Sequence, residues 1–332
     1  MTTLYAGPGK LFANNLALWP EGENGTITAT VEQAAEDVAS GFFGRVTSLQ
    51  GNALARIRLT PFDNWSALPL LFPPYLGVTV GATGGSLLIG ARPHGTVDVP
   101  AKIWTPDGRV YTFTRTAVTQ HPDLHLGIGA GLFGPVELTA ILGAGKKLGD
   151  PAALYTITET GAADPGGQMS LADFARGAWT GVWGPAAGFG GDGASAPLEA
   201  EDEWTLVSEV RYSPLTVQQL VRAYKLDSVK FLIKVRPYGP RHTDLDAAIG
   251  VNNGRTLGAR FAAGAAADLV LTGPANKTIT LKNADVVGAG FEFGGTRLGT
   301  GEIGFINGMT FSSGGNGQPA AGAPLPLVVF GG

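Results

Sequence analysis

The chain has 332 residues, of which 15% are charged, no cysteine, and a formal net charge of −4. This length is enough for two domains that each bury a core. The lack of cysteine excludes a disulfide framework, a thiolate metal site and a cysteine nucleophile, and the acidic balance disfavours tight nucleic-acid binding.

The low share of charged residues predicts association with other copies. Soluble proteins typically contain about 25% charged residues, and a folded monomer relies on surface charge for solubility. The apolar share of 44% argues against wholesale disorder. Residues 1–10 lack the basic start and apolar run of a secretory signal, and no stretch approaches the roughly 20 apolar residues of a membrane span. We therefore expect synthesis in a cytoplasm and no membrane partner.

Alternating apolar and polar residues dominate both halves of the chain. β-Branched and aromatic residues at period two predict half-buried antiparallel strands. Turn sequences at 106–108 (Pro-Asp-Gly) and 273–276 (Gly-Pro-Ala-Asn) each predict a hairpin. The predicted strands are 26–33, 53–60, 97–105, 110–116 and 135–142 in the first half, and 204–212, 229–236, 268–272, 277–282 and 302–306 in the second.

Helix signals are few. Asp63 is placed to cap a short helix over 64–71, and Thr243 with Asp246 resembles a capping box for a helix that ends near residue 250. A third helix is predicted over 171–179 with Ser170 as its cap. The sequence thus predicts one short helix at the same point of each half.

Composition divides the chain into four parts. A first β domain is expected over 1–159 and a second over 204–311. Between them, 160–203 is rich in glycine, alanine and proline but contains large aromatics, so part of it should pack. The tail 312–332 is also rich in glycine and proline, and 325–330 either pairs as a last strand or docks on a neighbour. Residues 73–95 form an extended loop or hairpin, with 250–266 as a shorter counterpart.

The two halves repeat each other in sequence. Ile-Arg-Leu-Thr-Pro-Phe at 57–62 matches Ile-Lys-Val-Arg-Pro-Tyr at 233–238, at a sequence offset of 176. Two further blocks follow in the same order, at offsets of 168 and 167. A repeated unit is typical of a protein that assembles equivalent surfaces. The later blocks match Pro106, Arg109, Thr112 and Val118 with Pro274, Lys277, Thr280 and Val286, and then Leu124, Leu126, Gly127, Gly134, Val136 and Leu138 with Phe291, Phe293, Gly294, Gly301, Ile303 and Phe305.

Two glycine-rich stretches partly match phosphate-binding loops. Residues 129–134 fit G-x-G-x-x-G, but a strand-like segment follows where the dinucleotide fingerprint needs a helix. Residues 143–148 (Gly-Ala-Gly-Lys-Lys-Leu) lack the spacing and the Ser/Thr of a P-loop. We interpret the first as a loop between strands and the second as a solvated basic turn.

Catalytic and metal-binding patterns are equally weak. The histidines are His94, His121, His125 and His242, and Pro122 makes a helix that would align His121 with His125 improbable. There is no G-x-S-x-G elbow, and no carboxylate pair stands out for glycosidase chemistry. We therefore assign no catalytic, cofactor-binding or metal-binding residue and no cofactor, and we expect a protein that is not an enzyme. The acidic run Glu199, Glu201, Asp202 and Glu203 is interpreted as a solvated face, and the glycosylation sequons at Asn24, Asn64 and Asn276 mean little without a secretory signal.

Several stretches of the chain form one further pattern. They are 5–11 with 18–20, 54–62 leading into 68–71, 102–113 continuing through 133–138, and the second-half stretches 269–281 and 291–305. In these stretches, and as a pattern over most of 1–311, the chain resembles the tail tube proteins (major tail proteins) of tailed bacteriophages and prophages.

This resemblance implies a mainly β fold with two tandem tail-tube-like β-sandwich or half-barrel domains, each with one short flanking helix. It implies a structural virion protein whose homotrimeric, pseudo-hexameric rings stack into the tail tube, a conduit for DNA ejection. The tape-measure protein and double-stranded DNA would pass through the lumen without sequence-specific binding, and other tail proteins would join at the ends. The chain would be assembled in the host cytoplasm and located in the virion tail.

Some features are left open by the sequence. Arg56, Arg58, Lys230 and Lys234 lie in matching strands and either face the channel, form inter-subunit ion pairs or lie on an exposed strand face. Residues 34–43, with 212–219 as counterpart, are the predicted ring-stacking arm. The alternative functions are another ring-forming virion protein (a baseplate hub, tail terminator or decoration protein) and a two-domain carbohydrate-binding module.

Overall fold

The structure is a computed structural model that describes residues 2–6, 9–13, 16–22, 25–94, 100–129, 131–147, 149–158, 163–164, 173–183, 197–217, 220–238, 268–294, 297–307 and 326–332. The described residues are mainly β, with one short α-helix. Among them, no helix has the length and apolar character needed to span a membrane.

The strands are numbered in chain order. They are β1 Thr2–Ala6, β2 Lys10–Ala13, β3 Leu16–Leu18, β4 Ile27–Ser40, β5 Gly44–Leu59, β6 Val78–Val80, β7 Ala101–Trp104, β8 Val110–Phe113, β9 Thr116–Gln120, β10 Leu124–Gly127, β11 Val136–Ile141, β12 Tyr155–Thr158, β13 Thr180–Trp183, β14 Leu198–Val217, β15 Leu220–Pro237, β16 Leu269–Thr272, β17 Thr278–Leu281, β18 Ala284–Gly294, β19 Arg297–Asn307 and β20 Val328–Gly331. Helix α1 is Leu68–Leu71, and 3₁₀ turns lie at Trp65–Ala67 and Pro274–Asn276.

The strands form three sheets. One has the order β1-β4-β5-β11-β9, and a second has the order β12-β8-β7-β2-β3. The third and largest has the order β18-β19-β15-β14-β13-β16-β17-β20-β6, with β10 paired to β14 beside this path. All of these pairings are antiparallel except β20 with β6. We call β1–β12 the first unit and β13–β20 the second unit.

The same order of strands occurs in both units. The order β4-β5-β11-β9 in the first unit matches β14-β15-β19-β18 in the second. Likewise β12-β8-β7-β2 matches β20-β17-β16-β13. The matched strands also follow one another in the same order along the chain, with β12 and β20 last in their units.

The register of pairing repeats as well. Ile57 lies opposite Leu138, and Ile233 lies opposite Phe305, so the pairs are related by the sequence offsets of 176 and 167. Ala101 opposite Phe113 recurs as 269 opposite 281, at the offset of 168. Since a slip of one residue moves every side chain to the other face of a sheet, equivalent residues lie on equivalent faces of the two units.

One continuous apolar core runs through both units. Alternate residues of each long strand point into it, as in β5, where Ala55, Ile57 and Leu59 are buried and Arg58 is exposed. The largest buried side chain is Trp204, whose Nε1–H donates to the carbonyl of Trp179. Strands β10 and β6 of the first unit pair with β14 and β20 of the second, so backbone bonds join the units across this core.

Most of the predicted strands are confirmed. The observed β8, β11, β16 and β17 overlap their predicted ranges closely, and both predicted hairpin turns join the expected strands. Strands β4, β5, β14 and β15 are much longer than predicted, because β4 pairs with β5 and β14 pairs with β15 beyond the part where the strands alternate regularly. Short strands such as β2, β3 and β13 were missed, because three or four residues carry too little periodic signal.

The helix predictions need correction. The short helix predicted over 64–71 is confirmed, as a 3₁₀ turn over Trp65–Ala67 that continues into α1, but Asp63 does not cap it. Instead, the buried Asp63 carboxylate accepts the N–H of Leu132 at 2.7 Å and pairs with Arg176. Residues 174–179 are not helical, because Arg176 is drawn to Asp63 and Gly177 has a φ of +154°. The predicted helix near Thr243 and Asp246 and the cap Ser170 lie outside the described residues.

The expected boundaries also change. Strand β13 and the first residues of β14 lie inside 160–203, and β20 lies inside the tail 312–332. All three belong to the largest sheet, so these stretches are parts of the second unit as well as connections. The terminal segment pairs with β17 and β6, which is the first of the two outcomes expected for 325–330.

A first prediction concerns Gly181 in β13. A Cβ atom there would lie 2.3 Å from Cη2 of Trp204. We expect Gly181→Ala to lower the free energy of unfolding by about 1–3 kcal/mol, because it overpacks the core against Trp204. The measurement is urea unfolding, with Gly84→Ala, where nothing lies within 4 Å, as the control. Trp204→Phe should recover part of the loss in the double variant, and equal losses in both alanine variants would contradict this packing.

Candidate functional site

The β4–β5 hairpin projects beyond its sheet. Strand β1 covers β4 only over 27–31, and β11 covers β5 only over 54–59. From Ala35 opposite Gln50 to Ser40 opposite Gly44, the two strands have only each other as strand partners in the described part of the chain. At about 3.3 Å per residue this end extends for roughly 20 Å. The predicted arm 34–43 is therefore one side and the turn of a longer hairpin.

Two aromatic residues occupy the tip of this hairpin. Phe42 and Phe43 are 88% and 78% exposed, and their rings meet edge to face with centroids 5.0 Å apart. The Ser40 hydroxyl oxygen accepts both of their backbone N–H groups, which shapes the turn. Adjacent exposed aromatics at the end of a hairpin mark a contact surface. The predicted arm includes this tip, but the sequence gave no signal that these two side chains are exposed together.

The β14–β15 hairpin has a different environment. Its outer half lies against the first unit, where the N–H of Val221 donates to Oδ1 of Asn52. The backbone of Leu226 exchanges 2.8 Å hydrogen bonds with Gly90 and Ala91, and Arg115 donates to the carbonyl of Arg222. The counterpart arm predicted at 212–219 therefore lies on a docked hairpin, of which 218–219 are outside the described residues. Of these two matched hairpins, only β4–β5 projects beyond its neighbours within the described ranges.

A buried series of hydrogen bonds links this docked hairpin to the first unit. The Nδ1–H of His121 donates to the carbonyl of Leu71 at 2.6 Å, and Nε2 accepts the hydroxyl of Tyr212 at 2.6 Å. The hydroxyl of Tyr75 lies 3.4 Å from that of Tyr212. Burial lowers the pKa of His121 to about 4 and raises the pKa of Tyr75 to about 12. His121 is therefore a neutral structural link between the two units.

The first unit has a charged sheet face opposite its core. Glu137, whose side chain is 5% exposed, accepts Arg56 at 2.9 Å and Arg58 at 2.6 Å. Arg56 also pairs with Glu32 at 3.0 Å. The two arginines that the sequence singled out are therefore matched by two carboxylates of the same chain. Glu137 was missed because its partners come from a strand far away in sequence.

The corresponding face of the second unit is arranged similarly. Lys230 pairs with Glu209 at 3.0 Å, and Lys234 pairs with Glu302 at 3.1 Å. The register makes Lys234 equivalent to Arg58. Both units therefore have a basic residue at this position, and it pairs with a glutamate of the neighbouring strand, Glu137 in β11 or Glu302 in β19. Intrachain pairing thus accounts for all four basic residues singled out in the sequence.

A concavity lies at the end of each charged face. The first has a volume of about 600 Å³ and includes Thr28, Arg58 and Pro135 in its lining. The second, of about 260 Å³, includes the equivalent Thr205, Lys234 and Glu302. Neither lining contains a histidine or cysteine that could serve as a base or nucleophile. Their equivalence indicates that both hollows are products of the repeated strand arrangement.

The remaining motifs have structural positions. The glycine stretch 129–134 joins β10 to β11, and a strand follows it as expected. Residues 143–147 form a turn, in which the carbonyl of Lys146 accepts Arg222.

The histidines do not come together. His125 pairs with Glu203 at 2.9 Å, His94 bonds the carbonyl of Thr139, and His242 is outside the described residues. Across the described ranges, no group of three or more His, Cys, Asp or Glu side chains could hold a metal ion. Asn64 is buried and its amide donates to the carbonyl of Ala17, so the structure uses this sequon residue internally.

A second prediction follows from His121. Its pKa is about 4 in the folded chain against an ordinary value of 6.5, so between these pH values the unfolded chain binds the extra proton. Stability is therefore fully present above pH 6.5 and falls as the pH drops to about 4, by on the order of 3 kcal/mol. Urea unfolding against pH measures this loss. We expect His121→Gln to lack this part of the pH dependence and His125→Gln to keep it; an unchanged slope in His121→Gln would contradict the assignment.

No protein-family model matches the chain, and the search of curated proteins gives no significant match.

Proposed function

We propose that the chain is a structural subunit of a bacteriophage or prophage tail tube, built from two tandem tail-tube-like domains. Three chains form a ring of six units, and the rings stack around a channel for DNA. The observation that carries this proposal is the recurrence of one strand order and register in both units, combined with a β4–β5 hairpin that projects beyond its sheet and has two exposed phenylalanines at its tip. The resemblance in sequence points in the same direction.

Ring formation is supported by the sheet edges. A strand at an edge presents unpaired N–H and C=O groups, and closing sheets around a ring removes such edges. In this chain the second unit already receives β10 and β6 from the first. Six such units around an axis would extend the same kind of contact from chain to chain.

Stacking is supported by the β4–β5 hairpin. Its free end is about 20 Å long and carries two exposed phenylalanines, which lose contact with water only when another body covers them. A ring above or below is the body that a tube supplies. We assign this hairpin as the ring-stacking arm.

Passage of DNA is supported by the charged faces. Their lysines and arginines are paired with carboxylates of the same chain. Tight binding of DNA requires cations that are free to replace phosphate counterions. A channel lined by such faces would let the tape-measure protein and the DNA slide through. In this proposal the protein is located in the virion tail and other tail proteins close its ends.

A closed single ring, as in a baseplate hub or tail terminator, is the second candidate. It is favoured by one observation, namely that the β14–β15 hairpin is docked, so that of the two matched hairpins only β4–β5 is available to a second ring. Negative-stain microscopy of concentrated protein separates the two. Tubes of uniform diameter support the tail tube, single rings support the second candidate, and a persistent monomer would refute both.

A third prediction tests the stacking arm. We expect Phe42→Ser/Phe43→Ser to raise the protein concentration needed for tube formation at least tenfold, because the contact loses its apolar group. Sedimentation and microscopy measure this concentration. Phe42→Leu/Phe43→Leu keeps an apolar tip and should form tubes nearly as well.

Shortening the hairpin provides an independent check of the arm. Replacing 36–49 with Asn-Gly removes matched lengths of both strands, whereas removing 34–41 alone would leave β5 without its partner. Rings should remain and stacking should be lost. Normal tubes from this variant would show that the arm lies elsewhere.

A fourth prediction tests the charged face of the second unit. Glu209→Gln/Glu302→Gln frees Lys230 and Lys234 while removing only exposed ion pairs, which contribute little to stability. We expect assembled protein to bind double-stranded DNA at least tenfold more tightly than wild type at low salt, with steeper salt dependence. Asp107→Asn/Asp150→Asn changes the net charge equally in turns away from the face and is the control. Equal gains in DNA affinity in both variants would show that the ion pairs of the charged face do not control DNA binding.

A further inference from the structure

The junction between the two units has a direction. Strand β10 of the first unit adds to the edge of β14, with Leu124 opposite Leu206. Strand β6 of the first unit adds in parallel to the edge of β20, with Val78 opposite Val328. In both cases the first unit donates the strand and the second unit accepts it.

The equivalent acceptor edges of the first unit are β4 and β12. The repeated register equates Ala29 of β4 with Leu206 of β14, because they lie opposite the matched residues Ile57 and Ile233. Strand β1 lies on this edge with Leu4 opposite Ala29, so it occupies the position that β10 takes on β14. The N-terminal strand thus covers an edge that, in the second unit, is covered by another unit.

The edge of β12 is open. It pairs with β8 on one side, and no strand lies on its other side in the described part of the chain. Ile157 is 41% exposed and is equivalent to Phe330, since they lie opposite the matched Tyr111 and Ile279. The Phe330 carbonyl accepts the N–H of Gly81 beside β6. By this equivalence the backbone N–H and C=O groups of Ile157 point away from β8, to the side on which no described strand lies.

The donor equivalent to β10 lies in the second unit. The sequence offset of 167 that relates Leu138 to Phe305 also relates 124–127 to 291–294. These residues are the far end of β18, where Phe291 lies opposite Thr300 and Gly294 opposite Arg297 of β19. The segment therefore pairs within its own hairpin, whereas its counterpart β10 leaves its unit and adds to a neighbour.

We propose that the second unit of one chain docks head to tail on the first unit of another chain, and that 291–294 of the donor replaces β1 on the edge of β4. This proposal rests on the proposed function and names the strands that join its subunits. The register of β10 on β14 places Glu292 of the donor opposite Thr28 of the acceptor. The same junction covers the open edge of β12.

The exchange has a physical rationale. Head-to-tail contacts between different surfaces generate closed rings when the rotation per subunit closes, and the intrachain junction fixes that rotation. Replacing one antiparallel strand by another conserves the backbone hydrogen bonds of β4. Strand β1 meanwhile protects an edge that would otherwise pair indiscriminately before assembly. In this arrangement β1 is a temporary cover that makes ring formation depend on a correctly presented neighbour.

The cysteine-free chain permits a direct test by disulfide trapping. Thr28→Cys/Glu292→Cys reports the docked junction, and Thr28→Cys/Tyr5→Cys reports β1 on β4. Thr205→Cys/His125→Cys is the matched control, because these residues form the equivalent intrachain pair. Under mild oxidation we expect the 28–292 pair to link chains into a ladder that ends at trimer, at least tenfold more in assembled than in dilute protein. The 5–28 pair should close within the chain only when the protein is dilute.

Two further variants test the edges by assembly alone. Deleting 1–8 should lower the concentration for half-maximal ring formation severalfold, because the competing strand is gone. Ile157→Pro removes an outward N–H group and should raise this concentration at least tenfold, whereas Ile157→Thr keeps the N–H group and should have little effect.

The results of these experiments distinguish a failure of the proposed junction from a failure of the proposed function. Rings that form equally well with the 5–28 disulfide closed, or that give no 28–292 link while the 125–205 control closes, would overturn the junction and leave the proposed function standing. A chain that stays monomeric at every concentration, with or without residues 1–8, would overturn the proposed function and the junction with it.

Discussion

Backbone pairing between the two units is the constraint on which the rest of the molecule depends. Strands β10 and β6 leave the first unit and become edge strands of the second, so neither unit completes its sheets alone. This fixes the angle between the units and carries the apolar core across their boundary. The side-chain links at the boundary, such as His121 with Tyr212, then have defined partners within the buried region.

The two units are equivalent in strand order and register, but their sheet edges and hairpins have different neighbours. Both units have the same strand order and register, and both place a paired cation on the face opposite the core. Their hairpins nevertheless differ, because the outer half of β14–β15 packs on the first unit, whereas β4–β5 from Gln50 outward has no further strand partner in the described chain. Identical topology thus gives one arm that packs inward and one that is available to another molecule.

Local polar contacts stabilise the regions where regular structure is short. Asp63 bonds Leu132 and Arg176, and Arg176 also reaches Glu21 at 2.9 Å, so three segments far apart in sequence meet at one guanidinium group. Burying the Asp63 carboxylate is tolerated because each of its oxygens has a charged or backbone donor. This cluster takes the place of the helix cap and of the third helix that the sequence indicated.

The sequence alone determined the β class, most long strands and the offsets between the halves, because alternation and repeated turn residues are local signals that one core face imposes. It even related residues that lie opposite each other in both units, as with Ile57 and Leu138. The tertiary structure decided which edges are covered, which hairpin projects, and which carboxylate meets each arginine. These features depend on backbone groups and side chains that meet from strands far apart in sequence. Local sequence patterns contain no information on which distant strands become neighbours.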